Sequence, residues 1–262
     1  MSEFVYPPVI AAAKTMFRVL GLKIKVEGHE NIPATGGAVL ACNHIGYLDF
    51  IFTGLGAHPA KRLVRFMAKK EVFDHKISGP LMRGMHHIPV DRDNGASSYI
   101  AALKALKAGE AVGVFPEATI SRSFTVKEIK SGAVRMAVAA KVPLIPMAVW
   151  GTQRLWTKGR KRKLWQRGTQ ILILAGEPMF PTRADDYEQV AKELRDRIQE
   201  LVDRAQREYP VDGAGQWWQP AHLGGTAPTP EEAAALDEAE LAERAARRAR
   251  REGEREAGKP EE

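Results

Sequence analysis

His44 and Asp49 are the pair whose types best suit acid–base chemistry, five positions apart in Ala41-Cys42-Asn43-His44-Ile45-Gly46-Tyr47-Leu48-Asp49. An aspartate that accepts from one imidazole nitrogen fixes the tautomer, so the other nitrogen can take a proton from a substrate hydroxyl. The substrate would then be the nucleophile. General-base help of this kind contributes about 10²- to 10⁴-fold, and positioning and oxyanion stabilisation must supply the rest of any large acceleration. Spacing alone is weak support, because two of the seven histidines have an aspartate five positions later, His44 with Asp49 and His86 with Asp91. Five helical steps leave two side chains about 140° apart, and five strand steps put them on opposite faces. The pair meets only across a break between elements. Asn43, Gly46 and the apolar run of residues 50–55 supply such a strand, loop and helix for the first pair. The second lies in extended chain around Pro89 and is expected to stay apart. The plainer reading of His44 is a helix cap or a hydrogen bond in the core.

Other segments carry polar groups just after predicted strands. Val112-Gly113-Val114-Phe115-Pro116-Glu117-Ala118-Thr119-Ile120-Ser121-Arg122 offers an acid, hydroxyls and a guanidinium. Together with Arg92, Arg122 could clamp a phosphate through bidentate guanidinium geometry, the alternative being a surface loop with an incidental arginine. Lys69 could add charge. Residues 141–149 read as a buried strand with a scaffold role. Metal ligation is not expected, since no close His/Glu cluster occurs and only His86 and His87 are adjacent. There is no Gly-x-Ser-x-Gly elbow, Walker-type loop or dinucleotide-binding glycine fingerprint, so covalent serine catalysis and nucleotide folds lose their main support.

The elements that must position these groups follow from apolar patterning. Short apolar runs at residues 37–42, 64–68, 113–115, 144–149 and 171–175 read as buried strands, and residues 97–108, 132–140 and 187–205 show helical spacing. The alternation predicts an α/β fold, a single domain with a mostly parallel central sheet flanked by helices. In such a sheet ligands collect at the carboxyl ends of strands, where His44 lies. Residues 1–22 hold an amphipathic helix whose apolar face could meet core or lipid, residues 23–210 the main domain, residues 211–230 a Gly/Pro-rich linker, and residues 231–262 a charged tail, helical or disordered.

The chain of 262 residues has a net charge of +7; residues 231–262 hold 11 acids and 7 bases, leaving +11 on the body. Such a body favours an anionic partner, whether phosphate ester, acidic lipid or nucleic acid. Residues 154–167 concentrate this character, with seven bases, no acids, and Trp156 and Trp165, shortly after Trp150. This loop suits anionic headgroups or nucleic acid, and its residues alone do not rank the two. One cysteine, Cys42, excludes an internal disulfide and fits a reducing compartment. No apolar run is long enough to span a bilayer and no secretory signal is apparent, so a cytoplasmic location is expected, and the basic loop with its tryptophans could dock the protein peripherally on the inner membrane face.

Taken in order, four blocks resemble the glycerophospholipid acyltransferase family, particularly 1-acylglycerol-3-phosphate acyltransferases. Asn43-His44 to Asp49 looks like the first family motif, Gly84 to Arg92 the second, Phe115-Pro116-Glu117 the third, and Val142-Pro143 to Pro146 the fourth. The lead-in Glu27-Gly28-His29-Glu30-Asn31-Ile32-Pro33 is also similar. The resemblance implies transfer of a fatty acyl group from an acyl-CoA or acyl-carrier-protein thioester, as co-substrate, to the free hydroxyl of a lysophospholipid, with no metal or prosthetic group. It implies His44 as base and Asp49 as its orienter. Asn43, Lys69, Arg92, Glu117, Thr119 and Arg122 then form the substrate-binding set, Arg92 at the acceptor phosphate and Glu117 and Thr119 in acceptor binding. The usual third block reads Phe-Pro-Glu-Gly-Thr-Arg-Ser, whereas this chain has Ala118 for the glycine and Ile120 for the arginine, so Arg122 would have to substitute from two positions away. Another lysolipid or polar alcohol as acceptor, or a non-catalytic basic module on membrane or nucleic acid, are the rival readings.

Overall fold

Runs of small and branched apolar residues become the centre of one sheet, and the polar breaks between them become the loops at its ends. The computed structural model describes residues 3–91 and 95–257. In chain order its elements are α1 (Tyr6–Val19), β1 (Lys23–Glu27), β2 (Ala38–Cys42), α2 (Asp49–Ala57), β3 (Val64–Lys69), α3 (Lys70–Asp74), α4 (Ser78–Gly84), β4 (Ile88–Val90), α5 (Gly95–Lys107), β5 (Ala111–Val114), α6 (Gly132–Ala140), β6 (Leu144–Trp150), β7 (Gln170–Ala175), α7 (Tyr187–Arg207) and α8 (Pro230–Ala257). Strand order in the sheet is β1-β7-β6-β2-β5-β3-β4. Every neighbouring pair is parallel except β6 with β7. Residues of β2, β5 and β6 are buried throughout, as expected of parallel strands covered on both faces. Leu40, Ile145, Met147 and Ile173 are fully buried, and each contributes roughly 1.5–3 kcal/mol.

The chain separates into two compact units, one of Met1–Ser121 and Val126–Asp212, the other of Arg122–Thr125 and Gly213–Glu262. The sheet and its helices belong to the first. There α1 turns Phe17 onto Phe52 with ring centroids 5.0 Å apart, while Tyr6 donates from its hydroxyl to the Val64 carbonyl at 2.8 Å. The helix therefore packs its apolar face on core, leaving Phe4, Met16 and Val19 exposed. Gly113 is required for close packing of β5, since a Cβ there would lie 2.4 Å from the Phe66 ring.

In the second unit the stretch expected to be a linker is folded. Gly215 and Gly224 pair through their backbones at 2.8 Å, Thr226 donates to Gln216 at 2.9 Å, and Trp218 is buried. Its glycines permit close approach as well as flexibility: a Cβ on Gly225 would meet the Gln219 carbonyl at 2.0 Å. Thr229 and Glu232 then exchange reciprocal side-chain to backbone bonds that start α8, with Pro230 in the first turn. The tail, as far as Ala257, is thus a capped helix.

Candidate active site

The site forms where β2 stops and α2 has not yet begun. Residues 43–48 form the connection, and Asp49 is the first residue of α2. The turn brings His44 Nδ1 to 3.0 Å from Asp49 Oδ2. Backbone N–H groups of Ile45 and Gly46 donate to the same oxygen at 2.7 and 2.8 Å, and the Thr152 hydroxyl donates to Oδ1 at 2.5 Å. Asp49 is completely buried, so these four donors replace the water it gives up. An ionised carboxylate only accepts, which places the shared proton on His44 Nδ1 and leaves Nε2 with its lone pair. The imidazole is 21% exposed and so is reachable by a substrate.

Two aromatic contacts fix the ring. His44 stacks on Phe115 at 4.3 Å and 20°, and Phe115 in turn lies parallel to Phe66 at 6.1 Å. Phe115 directly follows β5, so its position depends on the strand beside β2. Gly46 admits the tight turn: a Cβ would stand 2.9 Å from the Trp156 carbonyl and 3.2 Å from Asp49 Oδ1. The other spacing match does not form a pair, since His86 Nδ1 lies 3.9 Å from Glu3 and Asp91 lies 3.9 Å from Lys70.

The substrate-binding expectations fare unevenly. Arg92 lies outside the described residues. Asn43 is buried and works as a bridge between strands, its amide exchanging bonds with the Val149 backbone at 3.1 and 2.8 Å where the β2–β6 ladder would otherwise end. This engagement corrects its assignment as a substrate contact. Glu117 also turns inward, 5% exposed, with Oε1 accepting from the His44 N–H at 2.7 Å and Oε2 from the Lys127 N–H at 3.0 Å. Burial pushes its carboxyl up to about 8, against the opposing pull of those two N–H bonds. Its oxygens are thus committed to holding the two loops together, where the resemblance implied acceptor contact.

Arg122 is likewise engaged, donating to Asp237 at 3.0 Å and Glu240 at 2.7 Å within the second unit. Two carboxylates outweigh its single charge, so it does not supply the cation missing at Ile120. Thr119 has a different neighbour, the Lys158 ammonium, which donates to its hydroxyl at 2.8 Å. Lys69 ends β3, exposed, with β5 lying between its strand and β2. Cys42 is completely buried and burial raises its thiol pKa, which removes it as a nucleophile. Among the described residues no cluster of His, Cys, Asp and Glu could hold a metal ion.

Sequence reasoning missed the segment after β6. Besides Thr152, Thr157 donates to the Ile45 carbonyl at 2.6 Å and Trp156 accepts from the Tyr47 N–H at 3.0 Å. Trp156, half-buried, also packs on Tyr47 at 4.7 Å and Trp150 is fully buried, so of the three tryptophans near the basic stretch Trp165, 80% exposed, is the one largely open to solvent. A Gly-Thr pair at the carboxyl end of a buried strand was the available signal.

With this geometry in place, comparison with known proteins decides the family. Residues 23–150 match the acyltransferase family. A 1-acyl-sn-glycerol-3-phosphate acyltransferase of Bacillus subtilis is 38% identical over 190 residues, covering 69% of this chain and 89% of that protein. The chain belongs to the acyltransferase family. A 1-acyl-sn-glycerol-3-phosphate acyltransferase of Limnanthes douglasii is 33% identical over 154 residues, 55% of this chain and 51% of its own length. The crystal structure of the 1-acyl-sn-glycerophosphate (LPA) acyltransferase, PlsC, from Thermotoga maritima superposes with a TM-score of 0.66 at 25% identity, covering 78% of this chain and 81% of that one. This acyltransferase therefore has the mostly parallel, helix-flanked sheet expected from its sequence. None of its described helices is long and apolar enough to cross a membrane.

Proposed function

We propose that this acyltransferase moves a fatty acyl group from an acyl-CoA or acyl-carrier-protein thioester to the free hydroxyl of 1-acylglycerol-3-phosphate, forming phosphatidic acid. The observation that carries the reading is the 3.0 Å contact between Nδ1 of the partly exposed His44 and Oδ2 of the buried Asp49, in a chain whose relatives bear that activity in their names. Nε2 takes the proton as the acceptor oxygen attacks the thioester carbonyl, and the new C–O bond creates a tetrahedral oxyanion. Collapse breaks the C–S bond, and the imidazolium returns its proton to the departing thiolate. Asp49 holds the tautomer throughout and stabilises the transient imidazolium. The cycle ends with ester, free thiol and a neutral His44.

An apolar cavity of about 240 Å³ supports an acyl-bearing substrate. It is walled by α1 and α4 and by Phe50, Ile51 and Leu55 of α2, the helix that Asp49 begins. Lys158 beside Thr119 supplies positive charge at the third-motif loop, which suits an acceptor phosphate in place of the absent arginine at position 120. Residues 160–163, all basic and exposed, with Trp165 at 80% exposure, suit contact with an anionic membrane surface on the cytoplasmic face.

The test is an acceptor screen with purified enzyme, one acyl-CoA and one acyl-carrier-protein donor, read by mass detection of the lipid product. Phosphatidic acid formed from 1-acylglycerol-3-phosphate with release of one thiol per ester is the expected result. Transfer to every acceptor except phosphate-bearing lysolipids would overturn the acceptor assignment.

A further inference from the structure

Every hydrogen-bond donor around Asp49 but one reaches the same oxygen. Oδ2 accepts from His44 Nδ1 at 3.0 Å and from the backbone N–H groups of Ile45 and Gly46 at 2.7 and 2.8 Å, while Oδ1 accepts from the Thr152 hydroxyl at 2.5 Å. The Cβ–Cγ torsion of an aspartate is soft, so bonds to one oxygen leave the carboxylate plane weakly fixed. A donor on the second oxygen fixes that plane, and with it the direction of the lone pair that faces the imidazole.

Thr152 is built for this position. It is completely buried and lies just after β6, in a short turn of Thr152–Arg154. Gly151 precedes it with φ of +100°, a conformation that L side chains rarely adopt, and a Cβ there would meet the Gln170 carbonyl at 2.1 Å. The glycine lets the chain leave β6 against β7 and swing the threonine hydroxyl back toward α2. The Thr152 carbonyl is used separately, accepting from Leu155 at 2.9 Å and Trp156 at 3.2 Å, so the turn holds its shape without the hydroxyl.

We infer that Thr152 is a positioning residue for acyl transfer, acting on the reaction only through the Asp49 carboxylate that orients His44. The inference rests on the His44–Asp49 reading above and adds a third member from the turn that follows β6, the strand beside β2. A valine matches the threonine in shape but cannot donate, whereas a serine keeps the hydroxyl and loses only a methyl group. Loss of one bond to a buried charged group predicts kcat about 10- to 100-fold lower in Thr152→Val, because that bond maintains the geometry used in the chemical step. Donor and acceptor KM should each stay within about twofold, since the hydroxyl touches neither substrate. Thr152→Ser should retain most of the parent kcat.

The experiment measures kcat and both KM values for Thr152→Val, Thr152→Ser and His44→Ala beside the parent, with heteronuclear NMR of the histidine imidazoles as a readout independent of turnover. The expected spectrum shows the Nδ1-protonated tautomer of His44 in the parent and in Thr152→Ser, and a mixture of tautomers in Thr152→Val. Should Thr152→Val not fold, Thr152→Ala takes its place against Thr152→Ser, and the same contrast is expected. Turnover of the valine or alanine variant within threefold of the parent overturns the inference, as does an equal loss in the serine variant, which would reduce Thr152 to packing. If His44→Ala itself retains turnover, the dyad reading fails, and the tautomer comparison still decides whether Thr152 controls the ring.

Discussion

The buried Glu117 carboxyl should make stability fall as pH rises through neutrality, opposite to the effect of an ordinary salt-bridged acid. Burial raises its pKa from 4.5 to about 8, with the Lys127 and His44 N–H bonds opposing that rise. The native state therefore keeps a proton that the unfolded chain releases from about pH 4.5 upward, so stability is fully present below that pH and is lost as pH approaches 8. The slope has a ceiling of about 1.4 kcal/mol per pH unit. His87 works in the other direction, because burial, joined by the charges of Arg65 and His86, lowers it to about 4. Acidification below about pH 6.5 protonates the unfolded chain first and removes stability at the same slope. Between about pH 4.5 and 6.5 the two slopes offset, and Glu117 alone acts from there to pH 8, which predicts a loss of about 2 kcal/mol over that interval. Urea unfolding of the parent and of Glu117→Gln at half-unit pH steps measures it. The glutamine can accept from only one of the two N–H groups and should be less stable at pH 6, but its curve should lack the decline. Parallel curves for parent and variant between pH 6.5 and 8 would refute the reasoning.

Three further outcomes follow from the site. Gly46→Ala, whose Cβ would stand 2.9 Å from the Trp156 carbonyl and 3.2 Å from Asp49 Oδ1, should cost about 1–3 kcal/mol in unfolding free energy and lower kcat by about tenfold; a fully active, equally stable variant would show that the loop has slack. Lys158→Ala should raise the acceptor KM by about tenfold with little change in donor KM, since a charge-assisted contact to phosphate contributes about 1.5–3 kcal/mol, and equal effects on both substrates would remove the phosphate role. Neutralising Arg160, Lys161, Arg162 and Lys163 should weaken sedimentation with anionic liposomes at least about tenfold in low salt, at about 1 kcal/mol per base; retained sedimentation would transfer the membrane contact to the exposed Met16 and Val19 of α1 and Phe4 just before it.

Much of this site is legible before folding, because His44 lies between an unmistakable buried strand and an apolar helix, and only that break allows a five-residue spacing to close. Extended chain around Pro89 offers no such break between His86 and Asp91, and the two have separate partners in the structure. What escapes is anything that depends on a partner distant in sequence. Asn43 and Glu117 have the composition of ligands, yet the β6 backbone claims the first and two loop amides claim the second. Arg122 reads as an open cation because its acids, Asp237 and Glu240, lie more than a hundred residues away in a tail with almost no large apolar residues to announce that it packs. Strand β1 hides for a different reason: as an edge strand it alternates lysine with apolar residues and buries little.

The central claim is that His44, oriented by Asp49, removes the acceptor proton, and the rate of ester formation in His44→Ala tests it most directly. With thermal unfolding and liposome binding unchanged, the account predicts a kcat reduced by about 10³-fold or more, since both the base and its positioning are lost. Ester formation within tenfold of the parent by that folded variant would contradict it.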